Sequence, residues 1–141
     1  MGCYNSTVIN SDADTVWETL NDFFDLSWSK NVVEDIKNVN GKSGKEPGAK
    51  RILNGAFHET LLSTNDDERV FTYSIDDGPG AVSKENVEGY VGTVTVYPVT
   101  DTNTAFVEWK SEWKSEKDSG VAELCNPIYH ALLQDLKAYF S

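Results

Sequence analysis

Alternating apolar and polar positions dominate the middle of the chain, and this period-two pattern predicts a β-sheet. A short strand is predicted at residues 4–10, followed by a helix whose apolar stripe contains Val16 and Trp17. Asn21-Asp22 predicts the start of a second short helix. Six more strands are predicted, at residues 33–39, 49–53, 57–63, 69–75, 90–99 and 103–114.

The period changes near the C-terminus. Apolar residues recur there at helical spacing over about five turns, namely Val121, Leu124, Cys125, Ile128, Leu132, Leu136 and Tyr139. Pro127 predicts that this long helix either starts near residue 127 or bends there. The order of elements predicts an α+β fold, in which a curved antiparallel sheet wraps around the long helix. A chain of 141 residues without a linker-like segment is expected to form one domain, residues 1–141.

Large aromatic side chains are predicted to meet inside the fold. On the last predicted strand, Trp109 and Trp113 alternate with charged residues and are therefore expected to face the interior. Trp28, Tyr73 and Tyr90 are expected to reach the same space. Two interpretations are open: the rings pack solidly as a core, or they line a pocket in which the two tyrosine hydroxyls bind a carbonyl or enolate oxygen.

One predicted hairpin carries opposite charges on its apolar face. Asn-Gly at residues 54–55 marks the turn, and with a three-residue loop Arg51 lies opposite Glu59 on the face of Phe57. With a two-residue loop Arg51 faces His58 instead, because a slip of one residue reverses the faces. An inward Glu59 could act as a general base oriented by Arg51, or the two could form a structural ion pair.

The chain is strongly acidic. It has 23 Asp and Glu against 12 Lys and Arg, and the net charge of −11 argues against binding to nucleic acid or to an anionic membrane surface. No segment approaches the ~20 apolar residues of a membrane span, and no secretory signal is evident, so a cytoplasmic location is expected. Met1-Gly2 and Ser6 match the myristoylation pattern, with Cys3 as a second acylation site, but the predicted first strand leaves almost no tether.

Residues for metal or cofactor chemistry are scarce. The cysteines are Cys3 and Cys125, the histidines are His58 and His130, and none has the spacing of a metal site or a disulfide framework. The glycine-rich segments lack P-loop spacing, and no Gly-x-Ser-x-Gly motif occurs. Neither a metal nor a cofactor is therefore expected.

Short motifs along the whole chain resemble one superfamily. They are Val16-Trp17, Pro47-Gly48-Ala49-Lys50-Arg51, Glu59-Thr60-Leu61, Tyr73-Ser74-Ile75, Tyr90-Val91-Gly92-Thr93, Val107-Glu108-Trp109 and Ile128-Tyr129. With the order of elements, they are similar to the START-like (Bet v 1-like, SRPBCC) superfamily, and within it to the polyketide cyclase/dehydrase branch. The resemblance implies a helix-grip fold, with a seven-stranded sheet, two short helices after the first strand, and a cavity beneath the long helix.

Three functions are compatible with this resemblance. In the first, the cavity binds a hydrophobic, polyketide-like or lipid-like molecule through Trp28, Phe57, Tyr73, Tyr90, Trp109, Trp113 and Ile128. In the second, the protein is a cofactor-independent cyclase or dehydratase, in which Glu59 removes a proton next to a carbonyl and Arg51 or Tyr73 stabilises the oxyanion. In the third, the cavity is filled and the domain is an interaction module. Neither the ligand nor the oligomeric state follows from the sequence.

Overall fold

Seven strands form one antiparallel sheet in the computed structural model, which describes residues 1–141. These strands are β1 (Gly2–Ile9), β2 (Ile36–Asn38), β3 (Lys50–Leu53), β4 (Phe57–Asn65), β5 (Val70–Asp77), β7 (Val91–Val99) and β8 (Thr104–Glu112). They lie in the order β1-β8-β7-β5-β4-β3-β2, so β1 and β2 form the two edges. The remaining strands, β6 (Val87–Glu88) and β9 (Ser115–Glu116), pair with each other outside this sheet.

Two α-helices complete the fold, α1 (Ala13–Leu20) after β1 and α2 (Val121–Tyr139) after the last strand. Asp12 caps α1, because its carboxylate accepts a hydrogen bond from the backbone N–H of Thr15 at 3.1 Å. Pro127 lies within the second turn of α2, where its missing N–H leaves one helical hydrogen bond unmade. The long helix thus begins at Val121, and the prediction that it could start near Pro127 is wrong.

The second short helix predicted after α1 is only one 3₁₀ turn, Ser27–Ser29. Before and at the start of this turn, two carboxylates accept hydrogen bonds from backbone N–H groups two residues further along the chain. Asp22 accepts a hydrogen bond from the Phe24 N–H at 2.9 Å, and Asp25 accepts one from the Ser27 N–H at 3.0 Å. Such local side-chain bonds compete with the bonds of a helix, so an α-helix does not form here.

The core lies between α2 and one face of the sheet. Val107 and Trp109 of β8 are buried while Lys110 and Glu112 are exposed, so the alternation predicted for this strand is confirmed. Leu136 of α2 is fully buried against this face. The seven-stranded sheet and the long C-terminal helix confirm the α+β helix-grip fold.

Gly92 of β7 makes room for the most deeply buried ring of the sheet. Tyr73 of β5 lies opposite Gly92 in the strand register and is 1% exposed. A methyl group at Gly92 would overlap the Tyr73 ring, at its Cζ, Cε1 and hydroxyl oxygen. The glycine is therefore needed here for space, so that the ring can lie across β7.

Replacing Gly92 by Ala should force the Tyr73 ring out of its position. We expect the free energy of unfolding to fall by about 1–3 kcal/mol, the usual cost of overpacking a close-packed interior. Denaturant titration measures the loss, with Thr93→Ala as control, because that neighbouring side chain points to the opposite face. Equal stability of the Gly92 variant and the wild type would contradict this account of the glycine.

Candidate functional site

An apolar pocket of about 160 Å³ lies between α2 and strands β3, β4, β5 and β8. Its fifteen lining residues are Leu26, Val32, Val33, Arg51, Leu53, Asn54, Phe57, Glu59, Tyr73, Ile75, Trp109, Cys125, Ile128, Tyr129 and Leu132. The charged and aromatic residues at its base are buried, whereas Leu53, Phe57 and Ile128 are half-buried and Asn54 is exposed. The pocket therefore opens where the β3–β4 hairpin approaches α2.

The β3–β4 hairpin sets the register that brings the charged residues inward. Three residues, 54–56, connect Leu53 to its partner Phe57, and Arg51 consequently lies opposite Glu59. Asn54 and Gly55 have φ of 53° and 65°, the left-handed region that Asn and Gly adopt most readily. The structure thus has the three-residue loop, and the alternative pairing of Arg51 with His58 is wrong.

The Asn54 side chain ties this hairpin to the segment before β2. Its Oδ1 accepts hydrogen bonds from the backbone N–H groups of Glu34 at 2.8 Å and Asp35 at 3.2 Å. Its Nδ2 donates to the carbonyl of Val32 at 2.9 Å. Because Val32 and Val33 also line the pocket, this one amide holds two sides of the rim together.

A second set of hydrogen bonds ties the same segment to α2. Asp135 of α2 accepts a hydrogen bond from the buried Ser29 hydroxyl at 2.7 Å and another from the Asn31 side-chain amide at 3.1 Å. The backbone N–H of Val33 donates to the carbonyl of Ser29 at 2.9 Å. The rim formed by Val32 and Val33 is therefore fixed from the helix side as well.

Arg51 and Glu59 form a buried ion pair at the base of the pocket, at 4% and 5% exposure. Arg51 Nε donates a hydrogen bond to Glu59 Oε1 at 2.8 Å, and Nη2 lies 2.7 Å from the same oxygen. Nη1 donates to the carbonyl of Phe23 at 2.6 Å, and the guanidinium carbon lies 3.8 Å from the centre of the Phe23 ring. The cation is thus held on three sides by neighbours in fixed positions.

Glu59 keeps one carboxylate oxygen open. Both contacts with Arg51 go to Oε1, while Oε2 accepts no hydrogen bond from the protein and is not sealed off by it. Burial raises the pKa of the Glu59 carboxyl above its ordinary value, and the Arg51 charge opposes that shift. A carboxylate with one bonded and one open oxygen can accept a proton or a hydrogen bond from a molecule in the pocket.

Beside the ion pair, buried hydroxyls form a hydrogen-bonded chain. Trp109 Nε1 donates to the Tyr73 hydroxyl at 3.0 Å, and Tyr73 donates to the Tyr129 hydroxyl at 2.9 Å. The hydroxyls of Tyr129 and Tyr90 are also hydrogen-bonded to each other. The indole of Trp109 stacks on the Tyr129 ring with centroids 5.4 Å apart. These contacts fix the aromatic end of the pocket as one unit.

Burial keeps the ionisable groups of this end neutral. It raises the pKa of Tyr73, of Tyr90 and of Tyr129 well above the ordinary tyrosine value, and it raises the pKa of the Cys125 thiol to about 11. The Cys125 thiol is therefore protonated at neutral pH and is a poor nucleophile. Ser111, on β8 beyond Trp109, has a buried hydroxyl oxygen without a hydrogen-bond partner.

The structure brings six of the predicted site residues to the pocket and leaves three outside it. Arg51, Phe57, Glu59, Tyr73, Trp109 and Ile128 line the pocket, whereas Trp28, Tyr90 and Trp113 do not. Tyr90 stacks on Trp113 at 5.7 Å between centroids, and this pair fills the interior behind Tyr129. Trp28 belongs to the 3₁₀ turn and donates its indole N–H to the carbonyl of Asp25 at 3.1 Å.

Two residues of the pocket, Tyr129 and Cys125, are not among the site residues predicted from the sequence. Both are buried on the face of α2 that meets the sheet, and both line the pocket. The residues Cys125, Tyr129, Leu132 and Leu136 follow one another at helical spacings of four, three and four. That spacing is the signal that would have found Tyr129.

No three side chains of His, Cys, Asp or Glu converge as a metal centre would require. Neither helix has the length and apolar composition needed to cross a bilayer. Gly2 of the acylation pattern is paired with Glu112 in the sheet, and Cys3 is buried.

The fold and its pocket define a protein of the helix-grip class. Residues 3–141 match the family described as polyketide cyclase / dehydrase and lipid transport, and the chain belongs to that family. No curated protein matches the chain.

Several solved structures are similar to this one over the whole chain. A protein from Nitrosospira multiformis is 38% identical, with a TM-score of 0.96 and coverage of 100% of this chain and 97% of that one. The protein XoxI from Bacillus cereus is 28% identical, with a TM-score of 0.81 and coverage of 99% and 94%. An uncharacterized protein from Bacillus thuringiensis is 27% identical, with a TM-score of 0.82 and coverage of 99% and 98%.

Replacing Arg51 by Met should leave the Glu59 carboxylate buried without its counter-charge. We expect the free energy of unfolding at about pH 8 to fall by about 3–5 kcal/mol. Because burial raises the pKa of Glu59, the variant's folded state takes up a proton as the pH falls, so the loss should shrink toward about pH 5. Denaturant titrations at the two pH values measure both effects.

The double variant Arg51→Met/Glu59→Leu is the matched control for this prediction. It replaces the pair by apolar side chains, which is often nearly neutral for stability, so most of the loss should be recovered. A double variant as unstable as Arg51→Met would show that the lost charge balance is not the cause.

Proposed function

We propose that the protein binds a hydrophobic or aromatic small molecule in the pocket between the sheet and α2. The observation that carries this proposal is an apolar wall with a single ion pair at its base, the usual composition of a ligand site. Membership of a family described by polyketide cyclisation and lipid transport supports it.

The pocket is suited to binding because its walls are fixed before a ligand arrives. Asn54 holds the rim from the hairpin side, Asp135 holds it from the helix side, and the linked hydroxyls of Tyr73 and Tyr129 hold the base. Each Å² of apolar ligand surface removed from water contributes about 25 cal/mol. A pre-organised pocket loses little of that gain to the ordering of its own side chains.

A filled interior, the third function considered from the sequence, receives less support. That hypothesis requires the aromatic residues to pack without space between them, as Tyr90 and Trp113 do. At the other end, Phe57, Trp109 and Ile128 border a space of about 160 Å³. The proposal of a ligand-binding protein is therefore preferred to that of an interaction module.

Filling the pocket should abolish binding without unfolding the protein. We expect Ile128→Trp to lose any small molecule that co-purifies with the wild type, because the larger side chain occupies the ligand's space. Native mass spectrometry detects the ligand, and circular dichroism checks the fold. Leu124→Trp is the matched control, since Leu124 lies one turn earlier in α2 and outside the pocket. A ligand retained equally by both variants would contradict the proposed site.

Enzyme activity is the second candidate, and the open oxygen of Glu59 is the observation that favours it. Oε2 would take a proton from the carbon next to a ligand carbonyl, and the electron pair left behind would move onto the carbonyl oxygen. Arg51 has N–H groups beyond those used for Glu59 and Phe23, and these would stabilise that oxyanion. Tyr73 is less suited to this role, because its proton is already donated to Tyr129.

Glu59→Gln separates the enzyme from the carrier. If Glu59 is a general base, the variant should slow proton abstraction by about 10²–10⁴-fold and leave the affinity for a ketone, which carries no donor for Oε2, nearly unchanged. The readout is deuterium uptake at the methyl group of acetophenone, a compact ketone, followed by NMR. Glu112→Gln, an exposed change on β8, should behave as the wild type. Equal uptake with Glu59→Gln and the wild type would refute the catalytic assignment.

A further inference from the structure

The volume of the pocket limits the size of its ligand. At about 160 Å³ it is close to the ~150 Å³ apolar cavity that binds one benzene molecule in an engineered protein. A body of one ring fills such a space, whereas a second fused ring would extend into the opening, where Asn54 is exposed and Phe57 and Ile128 are only half-buried. Hydrogen bonds of Asn54 and Asp135 hold the rim in this position from both sides.

The polar atoms of the pocket limit the chemistry of its ligand. Both ends of the Asn54 amide are bonded to backbone groups of the rim. The Tyr73 hydroxyl accepts from Trp109 and donates to Tyr129. Arg51 has spare N–H donors, but they belong to a guanidinium that is already paired with Glu59. Glu59 Oε2 differs from all these groups, because it is an acceptor oxygen that receives no hydrogen bond, on a side chain that is about nineteen-twentieths buried. An acceptor in an apolar wall calls for a donor on the ligand.

The ion pair at the base carries no net charge, which favours a neutral ligand. Arg51 and Glu59 are in direct contact and together carry no net charge, so the pocket offers no compensation for a buried ion. A ligand cation would meet the Arg51 guanidinium, and a ligand anion would meet the open carboxylate oxygen.

From these three observations we infer that the ligand is a neutral, single-ring molecule with one O–H or N–H donor, which bonds to Glu59 Oε2. Phenols and small aromatic amides are the chemical class. The inference rests on the proposed binding function and deepens it by naming what the pocket selects. It replaces the polyketide-like or lipid-like ligand expected from the sequence by a more compact one.

Three ring compounds of similar size test the donor. Phenol carries a donor, toluene carries no polar group, and anisole carries only an acceptor. Isothermal titration with the full chain should give phenol the tightest binding, by about tenfold to a hundredfold over the other two, the factor expected of a hydrogen bond to a charged acceptor. In Arg51→Met/Glu59→Leu, which keeps an apolar pocket, toluene should bind at least as tightly as phenol.

The fourth compound, 1-naphthol, tests the size. It carries the same hydroxyl on two fused rings, and we expect it to bind no more tightly than phenol. Naphthol affinity more than tenfold above that of phenol would overturn the single-ring inference. Toluene or anisole binding as tightly as phenol in the wild type would overturn the donor inference.

Failure of the underlying function gives a different result. If none of the four compounds binds the wild type and no molecule co-purifies with it, then the pocket is not a ligand site and the inference fails with it. If a different molecule co-purifies, its identified structure shows directly how many rings and hydrogen-bond donors it has. A polycyclic or charged compound then overturns the inference and leaves the proposed function standing.

Discussion

The buried pair of Arg51 and Glu59 is the contact on which the pocket depends. Removing two charges from water is costly, and the structure offsets that cost with a short ion pair, a backbone carbonyl and the ring of Phe23. These contacts join β3, β4 and the segment after α1 at one point. The same arrangement leaves Glu59 Oε2 open, so the pair that joins these three segments also supplies the polar chemistry of the pocket.

The fold could be predicted from the sequence because its signals are long and regular. Alternation on β8 identified Trp109 as inward, and helical spacing identified α2. The second short helix is shorter than predicted, because Asp22 and Asp25 accept hydrogen bonds from the backbone N–H groups of Phe24 and Ser27. Such local hydrogen bonds leave no periodic pattern in the sequence.

The candidate site could be predicted only in part. The pairing of Arg51 with Glu59 on the inward face could be predicted from the alternation of side chains along the strands once a loop length was assumed. The loop length itself depends on backbone angles that an Asn-Gly pair does not fix. Aromatic residues were harder to assign. Tyr73 and Tyr90 look alike in the sequence, yet only Tyr73 borders the pocket, because stacking on Trp113 occupies the other ring. Whether a ring fills or lines an interior depends on its neighbours in space.

The three-residue turn at the end of β3 has a consequence for how such a protein can change. The number of residues in this turn decides which face of the sheet each side chain of β3 and β4 points to and which residue lies opposite it. The loss of one codon in the turn would therefore exchange the inward and outward side chains on β3 or β4. Point substitutions at Phe57 or Ile128 would reshape only the opening. Insertions and deletions at the turn can thus replace the polar chemistry of the pocket in one step, while substitutions at the rim adjust its selectivity gradually.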